Sequence, residues 1–118
     1  MVQQIDESRS NVLINQQINK IINLINLGDF QDALTLGRSL EESSEKNPNV
    51  FSIMGMLTLK LGAYEDAVRY HKKVVEIRPN CALSCYNLAN SLNLTGQQEA
   101  AISNYKKAIR NKRNYADA

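Results

Sequence analysis

Apolar residues recur along this chain at the three-to-four-residue spacing of a single helix face, and the interruptions between these runs are sharp. From Val12 onward, Ile14, Ile18, Ile21, Ile22 and Ile25 form a broad stripe that predicts an amphipathic helix closing at Gly28, with Asp29 placed to cap the next. A second helix is predicted from Phe30 to Ser44. Asn47-Pro48 then supplies a capping side chain followed by a proline whose missing N–H costs nothing at the first helical position. The helix it opens runs to Leu61 with Phe51, Met54, Leu57 and Leu61 on one side. A fourth spans Tyr64 to Ile77 and stops before Pro79, because the residue preceding a proline is pushed out of the helical region. Cys85, Leu88, Ala89 and Leu92 mark a fifth helix, and Ala101, Tyr105, Ala108 and Ile109 a sixth.

These six segments are three copies of one plan. Gly28, Gly62 and Gly96 lie 34 residues apart, and so do Ala33, Ala67 and Ala101, each followed by an aliphatic residue, Leu34, Val68 or Ile102. Only 5 glycines exist in the chain, so three in register with three alanines point to a repeat. A period of this length with a glycine between two helical patterns marks a stacked helix-turn-helix array. Small residues recur where paired helices cross closely, which places Ala67 and Ala101 against Gly55 and Ala89. Residues 1–12 have no counterpart in the repeat and read as a lead-in that is frayed or adds a turn to the first helix.

The spacing and the small residues resemble the tetratricopeptide repeat family over about residues 14–118. The resemblance implies an all-α, right-handed superhelical solenoid of three helix-turn-helix pairs. Its expected units are 13–47, 48–81 and 82–115, with 116–118 the truncated start of a fourth. The second unit keeps Gly55, Ala67 and Pro79 at family positions. The third keeps Leu88, Ala89, Ala101, Tyr105 and Ala108 but has Arg113 where proline would stand. The first departs furthest, with Lys20 and Ile21 in place of a Leu-Gly pair, Gly37 in place of an aromatic and Glu45 in place of proline, as suits a terminal, capping repeat.

Composition narrows the class without naming a ligand. Hydrophobic residues make up 43% and charged residues 22%, an ordinary globular balance. There is no apolar run of the ~18 residues a membrane span requires. The start, MVQQIDESRS, lacks the basic and apolar regions of a secretory signal, so a cytoplasmic location with Cys81 and Cys85 reduced is expected. The net charge of +2 demands no anionic partner, but residues 1–47 hold 4 Lys/Arg and 7 Asp/Glu whereas 48–118 hold 10 and 5.

Candidate chemistry is thin. The lone histidine, His71, stands where the family places a packing aromatic and has no evident catalytic partner. With Cys81 and Cys85 it would offer three zinc ligands, but at an unusual spacing and with no fourth, so no metal, cofactor or catalytic residue is expected. The glycines stand alone and make no phosphate loop. Glu41-Glu42 and Glu65-Asp66 read as solvated helix faces. Arg69, Lys72, Lys73 and Arg78 on the fourth helix, and Lys106, Lys107, Arg110, Lys112 and Arg113 on the sixth, form a basic outer stripe. Glu76 and Glu99 dilute it and no aromatics interleave it, so solubility explains it better than nucleic acid does.

The resemblance points elsewhere, to the concave face. In the family the first helix of each unit lines a groove, and the matching positions here are Asn15, Ile18, Ile22 and Ile25; Asn49, Ser52, Met56 and Leu59; and Leu83, Tyr86, Asn90 and Asn93, with Asn87 beside them. Such a groove, apolar at its start and amide-rich at its end, suits an extended peptide or an amphipathic helix of a protein partner. The row Ile18, Ile22, Ile25 is otherwise expected to be covered by the lead-in or by another subunit. The lysine and arginine pattern of the carboxylate-clamp members is absent. The third unit looks like asparagine-bearing arrays that precede glycosyltransferase or sulfotransferase domains, although Ile53 breaks the asparagine row, so a recruiting arm of a larger enzyme is one alternative. Self-association is another, through a C-terminal end where Tyr105 and Ile109 would lack a neighbour.

Overall fold

The computed structural model describes residues 2–44 and 47–117, with side chains over 11–43 and 47–113. Glu45, the side chains of residues 1–10 and those of the last five residues, on which parts of the repeat assignment fall, lie outside that range. The order is α1 (Val2–Asn26), α2 (Phe30–Leu40), a 3₁₀ turn (Glu42–Ser44), α3 (Pro48–Lys60), α4 (Tyr64–Ile77), α5 (Ala82–Leu94) and α6 (Gln98–Asp117), with no strand among the described residues. The predicted helices are present, with two shifts of boundary. The first begins ten residues before Val12, and the second ends at Leu40 and tightens into the 3₁₀ turn.

Each pair is joined by the same short turn. Gly28, Gly62 and Gly96 all have positive φ, near 82°, a conformation open to glycine because it has no Cβ. In all three the amide three residues past the helix bonds back to a carbonyl in its last turn: Asp29 to Leu24 at 2.8 Å, Ala63 to Thr58 at 2.8 Å and Gln97 to Leu92 at 2.9 Å. Helix α3 starts as its sequence suggests, the Asn47 side chain accepting from the Asn49 amide at 3.0 Å with Pro48 in the first turn. The expected Asp29 cap does not form. Asp29 precedes α2, but its side chain takes no capping bond, and only its carbonyl enters the helix ladder, accepting from Ala33 N at 3.0 Å.

Packing runs along the chain. Each helix contacts the next, and the further substantial contact is α1 with α3, so every unit leans on its neighbour alone. One apolar cluster joins the first two units through Ile14, Ile21, Ala33, Val50, Phe51, Ile53, Met54, Leu57, Tyr70 and Val74. A smaller one, Val68, Leu88, Leu92 and Ala101 with Tyr105 against it, joins the second to the third. Burying a side chain such as Phe51 or Leu57 contributes about 1.5–3 kcal/mol.

The small residues of the repeat lie in the interior. Ala33, Ala67, Ala89 and Ala101 are all buried. At Gly55 the His71 ring occupies the space beside the α3 backbone, where a Cβ would meet it at 2.5 Å. Gly37, standing where the family has an aromatic, is filled from the neighbouring unit, the Met54 sulfur occupying the place its Cβ would take. The divergent first unit thus meets the second by exchanging a ring for a thioether.

Candidate functional site

The first helices, α1, α3 and α5, carry the predicted groove positions, and exposure divides these into two sets. Ile18 and Ile25 are half-buried and pack against the larger apolar cluster, as Leu24 does, so the chain's own core covers most of the isoleucine row. Ile22 remains 39% exposed. Further along, Met56 is 54% exposed, Leu83 67% and Tyr86 50%. Ser52 and Leu59 are half-buried; Asn15, Asn49 and Asn93 are exposed; Asn87 and Asn90 are half-buried.

Tyr105, which the sequence suggests would be stranded at the C-terminal end, turns inward instead. Its ring meets that of Tyr86 edge-on at 5.8 Å between centroids, and its hydroxyl donates to the Asn90 Oδ1. It therefore holds two groove residues in place and leaves the Asn90 amide hydrogens available as donors. Ala101 and Ala108 are buried too, and the outward residues of α6 are Ile102 and Ile109. A family aromatic at this repeat position was the available signal for Tyr105.

A second correction concerns Glu41. It is half-buried rather than part of a solvated face, and it accepts from the hydroxyl of the buried Tyr70, tying the end of α2 to α4. Burial and then the Glu41 carboxylate push the Tyr70 hydroxyl above its ordinary pKa of 10.0. The guanidinium of Arg69 lies 4.4 Å from the same ring's centroid, and Lys73 Nζ lies 5.0 Å from that of Phe51. Part of the basic outer stripe is thereby engaged with rings beneath it.

His71 is buried, and desolvation lowers its pKa from 6.5, so its imidazole is neutral near pH 7. Cys81 and Cys85 are free thiols, and no group of three His, Cys, Asp or Glu side chains is placed to hold a metal among the described residues. Two open depressions, about 460 and 350 Å³, lie along the turns rather than over the groove positions; one is lined by Gly62–Asp66 with Leu94 and Thr95, the other by Gly28–Asp32 with Leu61. No helix among the described residues is long and apolar enough to cross a membrane.

A tetratricopeptide repeat family model matches residues 49–81 and 82–115, more than half of the chain. The chain belongs to the tetratricopeptide repeat family. No curated protein matches it by sequence. Solved structures do. A MamA structure designated MSR-1 superposes with a TM-score of 0.76 at 21% identity, over 96% of this chain and 64% of that one. MamA from Desulfovibrio magneticus RS-1 gives 0.74 at 26% identity, over 80% and 54%. A further MamA crystal structure gives 0.75 at 15% identity, over 80% and 56%. The chain spans between about half and two thirds of the length of these neighbours. Its three helix pairs form a tetratricopeptide repeat solenoid, a fold of the protein-interaction scaffold type.

Proposed function

We propose that this tetratricopeptide repeat segment is a non-catalytic scaffold that binds an extended peptide, or a helix of a partner protein, along the first helices of its three units. The observation that carries the reading is the solvent exposure of Ile22, Met56, Leu83 and Tyr86, large apolar side chains at groove positions of three successive units. Isolated exposed apolar residues are ordinary, but four at groove positions spread over three successive units offer a surface suited to apolar side chains of a ligand. The amides of Asn15, Asn49, Asn90 and Asn93 beside them can bond a ligand backbone whatever its sequence. The mechanism is rigid presentation. The helices order these side chains beforehand, so less conformational entropy is lost on binding.

The test is selection of binding peptides from a random library on the full chain, followed by affinity measurement against variants. Met56→Glu, Leu83→Glu and Tyr86→Ala should each weaken the selected peptides by about tenfold or more, as truncating an anchor residue does. Lys72→Glu and Arg110→Glu, on the outer helices, should leave affinity nearly unchanged. Peptides that ignore the first set and respond to the second would overturn the proposal. A second reading, self-association, draws on the outward Ile102 and Ile109 of α6. Light scattering over a concentration series tests it, and a chain that stays monomeric removes it.

A further inference from the structure

Charge is divided unevenly between the two helices of each pair. Over residues 11–26, 48–60 and 82–94, the described side chains of α1, α3 and α5 include one charge, one charge and none, the two being Lys20 and Lys60. The second helices α2, α4 and α6 hold two, six and six over residues 30–40, 64–77 and 98–113. Neither lysine reaches the groove. Lys20 lies in repeat register with Met54 and Leu88, which are buried between successive units, so it faces the outer end of the stack and is exposed there. Lys60 turns toward α2, its Nζ 5.3 Å from the centroid of the Phe30 ring. The groove wall is therefore built of uncharged side chains alone.

We propose that the groove selects an uncharged, extended segment of its partner and rejects charge of either sign at the contact positions. The proposal rests on the groove reading and names the chemistry of its ligand. A Lys, Arg, Asp or Glu side chain laid on this wall gives up water and gains no counter-ion, so both signs are disfavoured alike. An apolar residue against Met56 or Leu83, or a Ser, Thr, Asn or Gln against the amides, finds a partner. The extended form follows from those amides. A helix satisfies its own backbone N–H and C=O groups, whereas an extended chain leaves them open to Asn15, Asn49, Asn90 and Asn93. At Asn90 the Tyr105 hydroxyl occupies the side-chain carbonyl oxygen, which leaves the amide hydrogens to donate to a ligand carbonyl.

The charged helices do not restore a preference by sign. They lie about one helix diameter, ~10 Å, behind the wall, and the screening length at physiological salt is about 8 Å. Arg69 and Lys73 are in addition held over the rings of Tyr70 and Phe51. Charge on the outside serves solubility, and the inside reads neutral sequence.

The test begins with peptides selected from a random library on the full chain and mapped to the groove by their loss of affinity for Met56→Glu and Tyr86→Ala. Their contacting segments should be depleted in charged residues relative to the library. Affinity should change by less than about twofold between ~0.05 and ~0.5 M salt. Double-mutant cycles locate the peptide residue that sits on Met56. Replacing that residue by Lys or by Asp should each weaken binding by about tenfold or more. The Met56→Glu chain should then recover the Lys peptide and not the Asp peptide, which a purely steric loss would not do. Groove-mapped peptides rich in charge, affinity that falls steeply with salt, tolerance of one sign alone, or a peptide that is helical when bound in isotope-filtered NMR spectra would each overturn the proposal. Peptides whose affinity ignores Met56→Glu and Tyr86→Ala bind elsewhere; that result overturns the groove reading itself, and this inference with it.

Discussion

Replacing Gly55 with alanine sets two effects of opposite sign against each other, and the structure says which prevails. Glycine in a helix interior costs about 1 kcal/mol relative to alanine, so Gly55→Ala on helix propensity alone should stabilise α3. The added Cβ, however, would lie 2.5, 2.7 and 2.8 Å from Cε1, Nε2 and Nδ1 of His71. That ring is planar and 4% exposed, so it has no open space to swing into, and α3 and α4 must separate to admit the methyl. Overpacking of this kind costs about 1–3 kcal/mol, which leaves Gly55→Ala destabilising by as much as ~2 kcal/mol. In a His71→Ala background the obstruction is gone, and the same substitution should stabilise by about 1 kcal/mol. Urea denaturation followed by circular dichroism on the four proteins of the cycle gives the coupling, expected at about 1–3 kcal/mol. If Gly55→Ala stabilises both backgrounds equally, the ring does not fill that space and the packing argument fails.

Other outcomes follow from the same contacts. Ala67→Leu, at a fully buried crossing, should cost ~1–3 kcal/mol and lower the Tm; an unchanged Tm would contradict the helix register. Because burial lowers the His71 pKa, the unfolded chain takes up its proton first as pH falls through 6.5. The contribution of His71 to stability is therefore complete above that pH and declines below it, by at most ~1.4 kcal/mol per pH unit. His71→Gln should flatten that part of the curve, and parallel losses in the two proteins would refute the assignment. Tyr105→Phe removes the bond to Asn90 and should cost about 0.5–1.5 kcal/mol while shifting the Asn90 side-chain amide resonances; resonances left in place would show the bond to be absent in solution.

Much of the fold was legible because the repeat reports itself. Three glycines in register can only be turns if the helices between them pack in the same way each time, and three buried alanines at fixed offset locate the crossings. What periodicity could not show was compensation between units. Gly37 looks like a loss until Met54 of the next unit is seen filling its space, and that contact has no sequence signature. Glu41 looked solvated because its partner, Tyr70, lies 29 residues away on another helix. Tyr105 was misplaced for a related reason: an aromatic near the end of a chain can face either way, and here Tyr86 and Asn90 draw it inward. The groove positions came from family resemblance. The burial of Ile18 and Ile25 against the core, which leaves Ile22 as the open member of that row, is a tertiary fact.

In the proposed function the first helices of the three pairs form the face this protein offers to a partner. Amide NMR spectra of the full chain, titrated with a peptide selected on it, test that claim residue by residue. The predicted result is a continuous band of shifted and broadened resonances across α1, α3 and α5 that includes Ile22, Met56, Leu83 and Tyr86. A band confined to the outer surfaces of α2, α4 and α6 would contradict it.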